Sequence, residues 1–211
     1  MSSSYNQISI NKYRMCADGY DASAQLTMPL RKRCIDLLRL TPGDVVLDVG
    51  AGTGLSYPLL LDRVGPAGRV LAFEQSPHMF AQAQARCVAL PGGHQVWQQC
   101  VSAEEVLLPQ AADAVLFNYV HDVLRAPLAV ANIMRQLKPG ARVAIAGMKF
   151  FPWWTGPLNL IAWAKNRPYN ASAFDMWSPW DIVESYCTQL QRQSTQCGMG
   201  YVAHGTVKSK V

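Results

Sequence analysis

The sequence predicts an α/β fold, with a mostly parallel sheet, helices on both faces and a closing antiparallel pair. Two observations carry this. From residue 44 to 150, short aliphatic runs alternate with longer helical patterns. After residue 150 the alternation stops, and two mixed segments flank a glycine-containing turn. Composition adds that one core is available. Of 211 residues, 50% are apolar and 16% charged, which suits one domain and excludes a disordered chain.

The elements follow in order. "DVVLDV" (44–49) has the continuous apolar character of a buried strand. "GLSYPLLLDRVG" (54–65) is helical, and Gly65-Pro66 stops it. "GRVLAFE" (68–74) is a second strand. "SPHMFAQAQARCVAL" (76–90) is a helix, with Ser76 as N-cap and Pro77 in the first turn. Strands three and four are "HQVWQQC" (94–100) and "ADAVLFNYV" (112–120). A helix over 125–137 turns at Lys138-Pro139-Gly140 into a fifth strand, 141–150. "SPWDIVESY" (178–186) reads as a helix capped by Ser178, and "TQLQRQST" and "YVAHGTV" as a hairpin around "QCGMG".

The net charge of +5 is mild, and no nucleic-acid partner is expected from it. The densest basic cluster, Arg31-Lys32-Arg33, reads as a solvated helix face. Six cysteines (Cys16, Cys34, Cys87, Cys100, Cys187, Cys197) lack any C-x-x-C pair. Neither a zinc site nor a disulfide framework has the needed spacing, so no metal is expected and reduced thiols in the cytoplasm are. The N-terminus lacks an apolar run of signal-peptide length, and no transmembrane span is expected.

Chemistry concentrates in "VVLDVGAGTGL" (45–55). A strand carries Asp48, then Gly50, Gly52 and Gly54 alternate before a helix. Glycines let the backbone approach a ligand and take positive φ. A G-x-G-x-x-G dinucleotide loop fails on the count, because its last position falls on Leu55 or Tyr57. The Gly-Lys-Ser/Thr ending of a P-loop is absent.

This loop, with its acidic strand residue, resembles motif I of the class I S-adenosylmethionine-dependent methyltransferases, in their small-molecule branch. The resemblance covers roughly residues 13–150. It implies a Rossmann-like sheet of seven strands in the order 3-2-1-4-5-7-6, S-adenosylmethionine as cofactor and S-adenosylhomocysteine as product. It implies cofactor contacts from Asp48, Gly50, Gly52 and Gly54, from Glu74 to the ribose hydroxyls, and from Gln75 and Met79 after it. In "SAEEVLLP", Ser102 stands where the family usually has Asp, so Ser102, the Ala103 backbone or Glu104 would meet the adenine. Tyr20, in "GYD", resembles a tyrosine before motif I that touches the cofactor. "LKPGARVAI" (137–145) is a frequent family motif around strand five.

"FNYVHDVL" (117–124) follows strand four, at the sheet end where α/β folds bind ligands. It places Asn118 near the methionine moiety, and Tyr119 and His121 near the acceptor. His121 is the candidate base, with a packing or cofactor contact as the alternative. Asp122 reads foremost as a helix cap, with orienting His121 or binding a cationic acceptor as the alternatives. Methyl transfer from a sulfonium draws much of its rate from in-line positioning, so the activity does not require a base.

Five of six tryptophans (Trp153, Trp154, Trp163, Trp177, Trp180) lie after residue 150. "KFFPWWTGPLNLIAWAK" is broken by Pro152 and Pro157 and is too short to span a bilayer. Three readings stand. The rings, Trp153 and Trp154 foremost, line an acceptor pocket together with Tyr13; they rest on a membrane surface; or they are core.

The expected organisation is one domain over 1–211. N-terminal helices or a lid occupy 1–43, the cofactor core 44–150, the acceptor segment 151–187 and the hairpin 188–211. The expected activity is methyl transfer to an O, N or S nucleophile of a small apolar or aromatic metabolite. The alternatives are N-methylation of a phospholipid headgroup at a membrane surface, and a catalytically silent cofactor-binding partner subunit.

Overall fold

A computed structural model describes residues 27–150, 155, 159 and 177–209. Seven strands form one sheet in the order β3-β2-β1-β4-β5-β7-β6. They are β1 (Val45–Val49), β2 (Arg69–Glu74), β3 (Val96–Cys100), β4 (Ala112–Asn118), β5 (Leu137–Met148), β6 (Cys187–Thr195) and β7 (Gly200–Val207). The first five run parallel, and β7 pairs antiparallel with both β5 and β6. The expected sheet order and terminal hairpin are both present.

The helices are α1 (Met28–Leu37), α2 (Tyr57–Val64), α3 (Pro77–Ala89), α4 (His121–Leu124), α5 (Pro127–Met134) and α6 (Asp181–Tyr186). Strand residues alternate between two apolar layers, as the pleat requires. Leu47, Leu71, Phe73, Val115, Phe117, Val143 and Ile145 share one layer with Val130 and Ile133 of α5 and Val183 of α6. Val46, Val70, Ala72, Ala114, Leu116 and Ala144 share the other with Ile35 of α1, Leu60 of α2 and Ala83 of α3. The strand side chains are smaller in this second layer. Burying a ring such as that of Phe117, fully enclosed here, stabilises the fold by about 1.5–3 kcal/mol.

Several boundaries differ from the sequence expectation. Helix α2 starts at Tyr57, because Gly52 and Gly54 hold left-handed φ of 59° and 77°. Strand β3 begins at Val96, after a short 3-10 turn over Gly93–Gln95. Strand β4 ends at Asn118, because Tyr119 takes φ 60°. Helix α5 spans only Pro127–Met134. Strand β5 begins at Leu137, which pairs with Ala112 ahead of a register shift, and ends at Met148. Ser76 holds the N-cap position of α3, but its side chain makes no cap bond. Helix α6 begins at Asp181 with buried Trp180 before it, so Ser178 is not its cap.

The basic cluster also needs correction. Lys32 and Arg33 are exposed, but Arg31 is 6% exposed. One turn of α1 therefore turns a guanidinium inward, where it lies 5.0 Å from the centre of the Tyr119 ring.

Candidate active site

The site forms where β1, β2 and β4 end side by side. Gly50 and Gly52 leave β1 with φ 57° and 59°. A Cβ on Gly50 would stand 2.8 Å from Val120 Cγ1, so strand four's end packs against bare backbone there. The Ala51 N–H donates to the Phe73 carbonyl (3.0 Å), which ties the loop to β2.

Glu74 closes β2 and is 8% exposed. Its Oε2 accepts from the Gly52 N–H (3.0 Å) and its Oε1 from the Ser76 N–H (2.8 Å). Burial pushes its carboxyl above the usual range, against the pull of the Ser76, Gly52 and Gln75 N–H groups. Each oxygen keeps a second lone pair for a hydroxyl donor.

Asp48 lies behind the loop, 1% exposed. Burial pushes its carboxyl up to about 7; attraction to Arg31 and a hydrogen bond from Ser56 oppose this, and Glu74 adds to it. Its Oδ2 is buried with no hydrogen-bond partner among the described residues. Asn118 is 5% exposed, and neither atom of its amide has a hydrogen-bond partner among those residues. Tyr119 beside it is fixed by its N–H, which donates to the Ala146 carbonyl (2.8 Å).

Glu74, Asn118 and Tyr119 border an open cleft of about 590 Å³, whereas Asp48, expected among the cofactor contacts, lies behind its lining. Of the cofactor residues expected from sequence, Gly50, Gly52, Glu74 and Gln75 line it, as do Met79, Ala103 and Asn118. Tyr119, expected on the acceptor side, lines it too. Gly54 instead faces the Tyr57 ring, 2.6 Å from where its Cβ would be. Ser102 donates its hydroxyl to Glu105 Oε2 (3.2 Å). Tyr13, Tyr20, Trp153 and Trp154 lie outside the described residues.

His121 stands at the start of α4. Its Nε2 accepts from the Met148 N–H (3.1 Å), and burial lowers its pKa to about 4. The ring is therefore neutral, with one lone pair committed to β5. That geometry favours a clamp between β4 and β5 over the proton-accepting role expected from sequence.

Phe73, Val120 and Val123 also line the cleft and were not singled out. Phe73 directly precedes Glu74, and Val120 and Val123 flank His121, so proximity to chosen residues was the available signal. Asp122 lines the cleft from the first turn of α4, where the N-cap position belongs to Val120.

The residues fit the cofactor that the resemblance implies. A carboxylate pinned at the end of β2, a carboxylate oxygen left over at β1 and an amide with both atoms to spare at β4 surround glycines that cannot carry a side chain. This arrangement sits at the carboxyl ends of a 3-2-1-4-5-7-6 sheet, which defines a Rossmann-like α/β protein.

Comparison with known proteins narrows the class. Residues 46–140 match a family described as methyltransferase domain. The chain is 29% identical over 145 residues to a malonyl-acyl-carrier-protein O-methyltransferase of Marinomonas sp., covering 68% of this chain and 52% of that one. It is 29% identical over 178 residues to a demethylmenaquinone methyltransferase of Symbiobacterium thermophilum, covering 72% and 71%. The chain thus spans about half the length of the first relative. Among solved structures, a SAM-dependent methyltransferase from Aquifex aeolicus shares the fold, with TM-score 0.65, 22% identity, and 84% and 89% of the two chains covered. The family match over residues 46–140 and these relatives support a class I S-adenosylmethionine-dependent methyltransferase domain in this chain.

Proposed function

We propose that the protein binds S-adenosylmethionine in this cleft and transfers its methyl group to an O, N or S nucleophile of a small apolar or aromatic metabolite. The observation that carries the reading is Glu74. Its carboxylate is held by the Gly52 and Ser76 amides at the cleft floor, where it can take both hydroxyls of a ribose.

The bound cofactor would supply an electrophilic methyl on a sulfonium, and the chain's own residues would do the positioning. Glu74 fixes the ribose. Phe73, Met79 and Ala103 offer an apolar wall for the adenine. Asn118 offers its amide to the amino-acid end from the cleft wall, and Asp48 stands behind the loop with one oxygen unpartnered among the described residues. Tyr119, Val120 and Val123 exclude water from the transfer side. Catalysis by orientation then needs no proton acceptor. Among the described residues there is no group of metal ligands and no helix long and apolar enough to cross a membrane. The demethylmenaquinone and acyl-carrier relatives support a small or carrier-linked acceptor.

Isothermal titration with S-adenosylmethionine, S-adenosylhomocysteine and a reduced nicotinamide control tests this. Micromolar binding of the two sulfur compounds alone is expected. Binding of neither overturns the reading.

A further inference from the structure

One cluster of polar atoms has no part in the cofactor reading. Trp180 and Tyr201 meet edge to face, ring centroids 4.8 Å apart. Tyr201 and His121 flank Gly147: a Cβ there would stand 2.8 Å from His121 Cε1 and 3.2 Å from Tyr201 Cε1. Trp180 Nε1, the Tyr201 hydroxyl and His121 Nδ1 are all buried, and none has a hydrogen-bond partner among the described residues. Trp180 and Tyr201 are 8% and 1% exposed.

An unsatisfied buried polar group costs about 1–3 kcal/mol, and native proteins hold few of them. Three within one ring cluster call for a ligand. Its chemistry follows from where the protons are. His121 Nε2 is taken by the Met148 N–H, so the neutral ring carries its proton on Nδ1. The indole only donates. The Tyr201 hydroxyl keeps its proton, since burial raises its pKa, with Cys34 and Tyr119 adding to the shift. The set therefore offers three donors and asks for an acceptor. Lys149 Nζ and the Arg192 guanidinium lie 5.9 and 5.5 Å from the Trp180 ring centre, with Arg192 paired to Glu184 (2.8 Å) and Lys149 donating to the Ser194 hydroxyl (2.7 Å). Of the three, His121 is next to the cleft along the chain, between cleft-lining Val120 and Asp122, and none of the three rings is itself in the lining.

We propose that Trp180, Tyr201 and His121 form a subsite for an oxygen acceptor (a carbonyl, carboxylate or phenolate) on the molecule to be methylated. This rests on the methyltransferase reading for its purpose, though not for its binding chemistry. It narrows the substrate class. An aromatic or apolar body carries the oxygen that anchors it, while a second group on the same molecule presents the nucleophile.

The test uses naphthoate and methylnaphthalene as probes, with and without S-adenosylhomocysteine. The readout is the Trp180 indole N–H resonance in NMR, assigned through Trp180→Phe. Naphthoate should shift that resonance and saturate; methylnaphthalene should not. Tyr201→Phe should bind naphthoate about tenfold more weakly, the scale of one hydrogen bond. Its S-adenosylhomocysteine affinity and melting temperature should not fall, because the deleted hydroxyl bonds nothing in the protein. An indole resonance indifferent to naphthoate in the unsubstituted protein overturns the subsite, leaving the donors to water. Equal naphthoate affinity in Tyr201→Phe does the same. Loss of S-adenosylhomocysteine binding alone would instead overturn the cofactor reading, since the naphthoate titration is read separately.

Discussion

Asp48 gives the sharpest prediction. Its carboxyl is pushed up to about 7 by burial, against about 3.9 in an unfolded chain. At pH 6 it is about 10% ionised in the free protein, and at pH 8 about 90%. The unpartnered Oδ2 suits the ammonium of the cofactor's amino-acid end, which would hold Asp48 ionised in the complex. S-adenosylhomocysteine should then bind about tenfold more tightly at pH 8 than at pH 6. Calorimetry in two buffers of different ionisation enthalpy should count about 0.9 protons released per site at pH 6 and about 0.1 at pH 8. The sign for stability is opposite. Between pH 4 and 7 the native state holds a proton that the unfolded chain releases, so the free protein loses stability as pH rises across that window, on the order of 4 kcal/mol, and no more above it. Asp48→Asn should remove both slopes. Equal affinity at the two pH values without proton release would refute the reasoning.

Four further outcomes can be measured. Glu74→Ala should weaken S-adenosylhomocysteine binding by roughly 1.5–3 kcal/mol, the scale of hydrogen bonds to a charged group; an unchanged calorimetric constant would mean that β2 does not hold the ribose. His121→Ala should cost under about tenfold in turnover with an unchanged pH profile, whereas a loss of about 10²–10⁴ would mark a base. Gly50→Ala should destabilise the fold by at least about 1–2 kcal/mol in denaturant melts, since φ is 57° and Val120 blocks the methyl. Liposome flotation should show no binding to anionic or zwitterionic vesicles, and purification should yield turnover without a second chain; the opposite results would favour the lipid-headgroup and silent-subunit alternatives.

The end of the cleft at β1 and β2 was legible because its signals are local. Gly50, Gly52 and Glu74, which line it, lie within 25 residues of one another, and their placement follows from strand ends and backbone freedom. Arg31 was not legible, because what buries it is Tyr119, far along the chain. Periodicity places a basic residue on a helix but does not say what stands opposite. The start of β5 failed for a related reason. Lys138-Pro139-Gly140 is locally a turn, and only pairing of Leu137 with Ala112 draws it into the sheet. The donor cluster joins residues from β4's end, β7 and the approach to α6, so no single stretch of sequence holds it.

Tyr119 has a mechanical consequence. A tyrosine at φ 60° sits roughly 1–2 kcal/mol uphill of its relaxed backbone. The Ala146 carbonyl holds its amide and Arg31 covers its ring, so the cleft wall at residue 119 is a spring under load, latched from both sides. Glycine at residue 119 would shed that load, but it would also remove the ring that Arg31 covers, so the wall would lose one latch together with the strain.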